Sequence, residues 1–146
     1  MDSAVVKERV KPPDVLDYPF EPPTPDGSHV EIAPGLLWLR MPMPFALDHI
    51  NLWALRDGDG WALVDTGIWS TDTAGAWRQL FAGVLDGPVT RVFVTHMHPD
   101  HIGMAGWLTR KFGCRLWISR LEYLSCRALS VDTGREAPDD AIEFYR

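Results

Sequence analysis

Thr95-His96-Met97-His98-Pro99-Asp100-His101-Ile102-Gly103 is the stretch that decides how this chain is read. Three of the five histidines and one aspartate fall within six residues. Imidazole nitrogens and a carboxylate oxygen are the donors that suit zinc and neighbouring transition metals. The run Arg91-Val92-Phe93-Val94 before it is β-branched and aromatic, and predicts a buried strand. Ile102 to Phe112 predicts a helix. The cluster therefore sits on a strand-to-helix turn, where a rigid sheet can aim side chains from a loop. His96 and His98 are two apart, so in extended backbone they point to the same side and can share one metal. Pro99 blocks further strand pairing and biases His98 away from helix. Asp100 and His101 follow where the helix starts, and can hold a second metal close to the first. Two metals that close can share a water, lower its pKa and clamp a developing oxyanion. Surface-loop histidines beside a helix cap are the plain alternative, but the clustering between strand and helix argues against it.

With those residues in place the chain resembles a family. His96-x-His98-x-Asp100-His101, preceded by Thr95 and a hydrophobic strand, resembles the signature of the metallo-β-lactamase-fold hydrolases. Leu63-Val64-Asp65-Thr66-Gly67, after an earlier strand, is similar to that family's second hallmark. The resemblance covers residues 30 to 125. It implies an α/β fold, the N-terminal half of a metallo-β-lactamase-like αβ/βα sandwich: a mixed sheet with flanking helices. It implies that His96 and His98 bind one metal and that Asp100 and His101 bind the other. Zinc is the first expectation, two ions in a complete protein, with iron as runner-up. The implied chemistry is a metal-bound hydroxide attacking an ester, thioester, lactone or related bond of a small-molecule substrate, with Asp100 also orienting the hydroxide. Family members complete the first site with a later histidine, and the second with a bridging aspartate and a final histidine. Here no histidine follows His101, and only 45 residues remain. The sequence thus reads as a first half. A second reading follows, in which the chain is a truncated or degenerate metal binder without turnover.

Composition narrows the partners. At 146 residues the chain is long enough for one ordinary domain, and 46% hydrophobic content is normal for a globular protein. Seven tryptophans imply either large buried area or an exposed face that wants a partner, so an oligomer stays open. A net charge of −6 argues against an extended nucleic-acid footprint. No apolar run approaches a membrane span, and Met1 to Arg9 lacks an apolar signal core, so the cytoplasm is the expected compartment. Cys114 and Cys126 are expected to be free thiols packed as small apolar groups.

The remaining chain supplies the scaffold. Nine of twelve prolines lie in the first 44 residues, and residues 1–28 read as a proline-rich arm ahead of a domain over 29–146. His29, at the end of that arm, and His49, in a loop, read as structural. Leu36 to Met41 and Asn51 to Arg56 predict strands. Asp57-Gly58-Asp59-Gly60 predicts a hairpin turn, and Trp61 to Val64 the return strand. Asp65 is open to two readings, a plain turn residue or a carboxylate that orients a metal-binding histidine by accepting its second N–H, and the family resemblance implies the second. Residues 71–85 predict an amphipathic helix, started by Thr71 or Asp72 and ended at Gly87-Pro88. Arg115 to Ile118 predicts a strand, and Ser119 caps a helix through Leu129. Residues 134–140 read as a polar loop, and 139–146 as the start of another helix.

Overall fold

The computed structural model describes residues 18–131. The chain order is β1 (His29–Ala33), β2 (Leu36–Pro42), β3 (His49–Asp57), β4 (Gly60–Val64), α1 (Thr71–Ala82), β5 (Val89–Phe93), α2 (Pro99–Ile102), α3 (Ala105–Phe112), β6 (Arg115–Trp117) and α4 (Arg120–Val131). The six strands form one mixed sheet in sequence order. The first four run antiparallel, and β5 and β6 each join in parallel. Parallel neighbours need a crossover, and α1 and the α2–α3 pair provide the two.

Period-two alternation sorts the side chains into two faces. Leu37, Ala54, Leu63, Val92 and Leu116 are paired strand by strand across β2 to β6. This row belongs to the apolar core with Trp77 and Leu80 of α1 and Leu108 of α3. The two helices also meet each other, Phe81 edge-on to Phe112 at 4.8 Å. The other face carries Val30, Trp38, Trp53, Val64, Phe93 and Trp117, also paired in line across all six strands. Phe93 and Trp117 are 37% and 48% exposed.

Several local expectations are corrected. Strand β1 is additional to the predicted strands, and its first residue is His29. It pairs with β2 around the Pro34-Gly35 turn, where Gly35 takes a φ of 73°. His49 opens β3 instead of lying in a loop. Helix α1 is capped by Ser70, whose hydroxyl accepts the Thr73 N–H, and it ends at Gly83, before the Gly87-Pro88 pair. The expected single helix from Ile102 is two, α2 and α3, separated at Gly103-Met104. Both cysteines are free and half-buried, and burial pushes the Cys114 thiol up. Of the arm, residues 1–17 lie outside the described residues. Within the rest, Gly27 lies against the backbone of Ala76 in α1, and Pro23 is buried. The polar loop and last helix expected over 134–146 also lie outside the described residues. Among the described residues no helix is long and apolar enough to cross a membrane.

Candidate metal centre

Two strand ends build the site. Strand β4 stops at Val64, and Asp65 takes a left-handed φ of 62°. Its N–H still donates to Phe93 O at 2.8 Å, so the turn starts locked to β5. Strand β5 stops at Phe93, and the chain runs on through Thr95 to Pro99, the first residue of α2. Thr66 holds that helix in place. Its N–H and its hydroxyl both donate to His101 O, at 2.8 and 2.7 Å, and its Oγ1 accepts the Met104 N–H at 3.1 Å. Trp77 of α1 donates to Thr66 O at 2.8 Å, which ties the turn to the core. Gly103 is required by crowding: a Cβ there would lie 2.6 Å from Trp69 N and 2.8 Å from Gly67 O.

The four expected donors lie side by side on this frame. His96 Nε2 faces His98 Nδ1 at 2.9 Å. His101 Nε2 faces Asp100 Oδ2 at 3.4 Å. The His96 and His101 rings are 3.9 Å apart between centroids, so the two pairs are neighbours. Beneath them lies Asp65, 5% exposed. Its Oδ1 accepts the Thr95 N–H and its Oδ2 the Thr95 hydroxyl, both at 2.8 Å. The same Oδ2 lies 2.8 Å from His101 Nδ1. A carboxylate only accepts, so His101 carries a proton on Nδ1, and its Nε2 is turned toward Asp100. Thr95 passes the same instruction on. With its hydroxyl proton given to Asp65, its oxygen accepts from His96 Nδ1 at 3.0 Å, which leaves the His96 Nε2 lone pair to face His98 Nδ1. One buried carboxylate thereby sets two imidazole tautomers, both in the form that binds a metal through Nε2.

The donor types and their pairing suit zinc, and also iron, but the number is short. Among the described residues no group of three or more His, Cys, Asp or Glu side chains surrounds a common point. Each pair offers two protein ligands, where a catalytic zinc takes three. The described residues thus supply two candidate donors per site on a shared frame. A cavity of about 590 Å³ opens beside His98, lined by Met97, Pro99, Ile102 and, from α4, Cys126 and Leu129. Helix α4 also reaches the metal loop directly, for Glu122 Oε2 accepts the Met97 N–H at 2.8 Å. The sequence alone placed Asp65 but not Thr95, Thr66 or Glu122. The spacing Ser119-x-x-Glu122 was the only cue to the last, and it marks a helix start rather than a contact with residue 97.

Comparison with known proteins agrees with this fold. The family model for the metallo-beta-lactamase superfamily matches residues 46–143. A beta-lactamase domain protein from Burkholderia ambifaria is 50% identical, with a TM-score of 0.71 over 77% of this chain and 38% of that one. A metallo-beta-lactamase family protein from Thermus thermophilus is 33% identical, with a TM-score of 0.57 over 64% of this chain and 31% of that one. The metallo-beta-lactamase FIM-1 from Pseudomonas aeruginosa, in its mono-zinc form, is 21% identical and shares the fold, with a TM-score of 0.56 over 74% of this chain and 46% of that one. No curated protein matches. The chain thus spans less than half the length of each of these solved relatives.

Proposed function

The chain belongs to the metallo-beta-lactamase superfamily, and from that membership we propose that it carries the first half of a metal-dependent hydrolytic centre. The observation that carries this reading is the 2.9 Å approach of His96 Nε2 to His98 Nδ1, beside the Asp100–His101 pair and above one buried carboxylate. His96 and His98 would hold one metal, and Asp100 and His101 the other. Zinc is the preferred ion and iron the runner-up. When bound, the metal supplies a water of lowered pKa and a Lewis acid for the anion that develops. The protein's own part is orientation. Asp65 keeps His101 in its Nδ1–H tautomer and, through Thr95, does the same for His96. Asp100 is placed to accept a proton from a water near His101 Nε2. The substrate class is a small molecule with an ester, thioester, lactone or related bond, and the cytoplasm is the proposed compartment.

The count of donors favours a second reading for a chain confined to these residues: it binds metal without turnover. Titration with zinc, followed by assays on ester, thioester and lactone substrates, distinguishes the two. Uptake that His96→Ala and His98→Ala each abolish is expected under both readings. Hydrolysis under the first requires the further ligands that longer family members carry. A chain that takes up neither zinc nor iron defeats both.

A further inference from the structure

Helix α4 begins as a capped helix should. The Glu122 N–H donates to Ser119 Oγ at 3.2 Å, and the Tyr123 N–H to Ser119 O at 3.0 Å. In the usual Ser-x-x-Glu arrangement the glutamate side chain turns back to the serine's own N–H. Here it goes elsewhere: Glu122 Oε2 accepts the N–H of Met97, 25 positions away in sequence. Met97 is the residue between His96 and His98. Its amide belongs to no strand or helix and makes no backbone hydrogen bond among the described residues, so the carboxylate is its partner. Elsewhere on α4, Leu121, Leu124 and Leu129 are exposed.

The placement has a consequence for the paired imidazoles. His96 and His98 face each other across the bend at residues 95–97, so their approach depends on how the peptides on either side of Met97 are oriented. A rotation of either peptide plane about Met97 swings the rings apart. A hydrogen bond from that amide to an ionised carboxylate is of the stronger, charge-assisted kind, and it opposes that rotation. We propose that Glu122 is a positioning residue for the His96–His98 pair, holding the Met97 amide so that His96 Nε2 and His98 Nδ1 stay close enough to share one metal. This rests on the metal-binding reading above and adds to it a requirement for α4.

The test uses the whole chain, with cobalt(II) as the probe, read by its visible absorption, and with hydrogen exchange of the Met97 amide read by NMR. Glu122→Ala is expected to weaken cobalt binding about 10- to 100-fold, the usual scale for a residue that orients a ligand. It should also speed Met97 exchange while helix content stays unchanged. Glu122→Gln keeps an acceptor oxygen and is expected to restore most of both. A general weakening of the helix would not be rescued so selectively. Equal cobalt affinity in wild type and Glu122→Ala overturns the assignment alone. So does a Met97 amide that exchanges freely in the folded wild type, a readout that stands even if Glu122→Ala does not fold. A wild-type chain that takes up no cobalt overturns the metal-binding reading and this assignment with it.

Discussion

Thr95 shows how much one hydroxyl can settle. It donates to Asp65 and accepts from His96, so the buried carboxylate acts on two imidazoles at once. Thr95→Val keeps the shape and the β-branched backbone preference but removes that link. His96 is then free to place its proton on either nitrogen, and many of the neutral rings would present an N–H where a lone pair is needed. Loss of one hydrogen bond should cost about 1 kcal/mol of stability. Metal affinity should fall about tenfold, and the affinity of Thr95→Ser should stay near wild type. Calorimetric titration with zinc checks both, and a valine variant that binds as tightly as wild type removes the relay. The donors themselves were legible in the sequence because residue type and spacing state them directly. So was Asp65, but only through the family resemblance, since an aspartate at a strand end is as readily read as part of a plain turn. Thr95 and Thr66 were not, since a threonine hydroxyl bonds whatever the fold brings near, and a string of letters does not say what that is.

At the scale of elements, alternation and turn residues were enough to place β2 to β6 and three of the helices. The two misses have different causes. Strand β1 is five residues with an exposed–intermediate pattern, so it shows no run of apolar residues to reveal it. The α2–α3 break comes from tertiary crowding at Gly103 and the Thr66 clamp, which override a continuous helical period. The connection from α1 to β5 offers a test of how elements are tied together. Asp86 there accepts from Arg56 of β3 at 2.9 Å and lies within 3.4 Å of Trp61 Nε1 of β4. The Arg56 hydrogen bond first, and then that from Trp61, hold the Asp86 carboxyl below its ordinary 3.8. A carboxyl lowered on folding stabilises the protein above its ordinary value and loses that contribution as pH falls through the lowered one. Asp86→Asn should therefore be less stable than wild type at neutral pH, with the gap closing as pH drops below 3.8. The effect is small, because the pair is exposed. Urea denaturation of both proteins across that range reads it, and a gap that widens on acidification contradicts the assignment.

The described residues form a sheet covered on one side. Helices α1 and α3 bury the row through Leu63 and Val92, while the opposite row from Val30 to Trp117 has no layer over it among the described residues. A sheet of this kind is stable when both apolar faces are buried. The row is not uniform. At its β2–β3 end Trp38 donates to Asn51 Oδ1 at 2.8 Å, and the Arg40 guanidinium lies 5.0 Å from the Trp38 ring, so polar groups dress the aromatics. At its β5–β6 end Phe93 and Trp117 pack on each other at 6.0 Å with nothing polar of that sort. That end is beside the metal loop, because β5 leads straight into Thr95. Whatever covers the face, further chain or a second copy, would bury the bare aromatic pair and close one side of the site together. The chain on its own should therefore bind a hydrophobic dye and associate as its concentration rises. Phe93→Lys with Trp117→Lys should suppress both by placing two positive charges on that surface. Its stability should fall by about 0.5–1.5 kcal/mol for the lost aromatic pair, and further for the part of each ring that is buried. Sedimentation across a concentration series decides the matter: a wild-type chain that stays monomeric and dye-free throughout means that this face is already satisfied, and that the missing metal ligands must be sought elsewhere than on a layer packed against it.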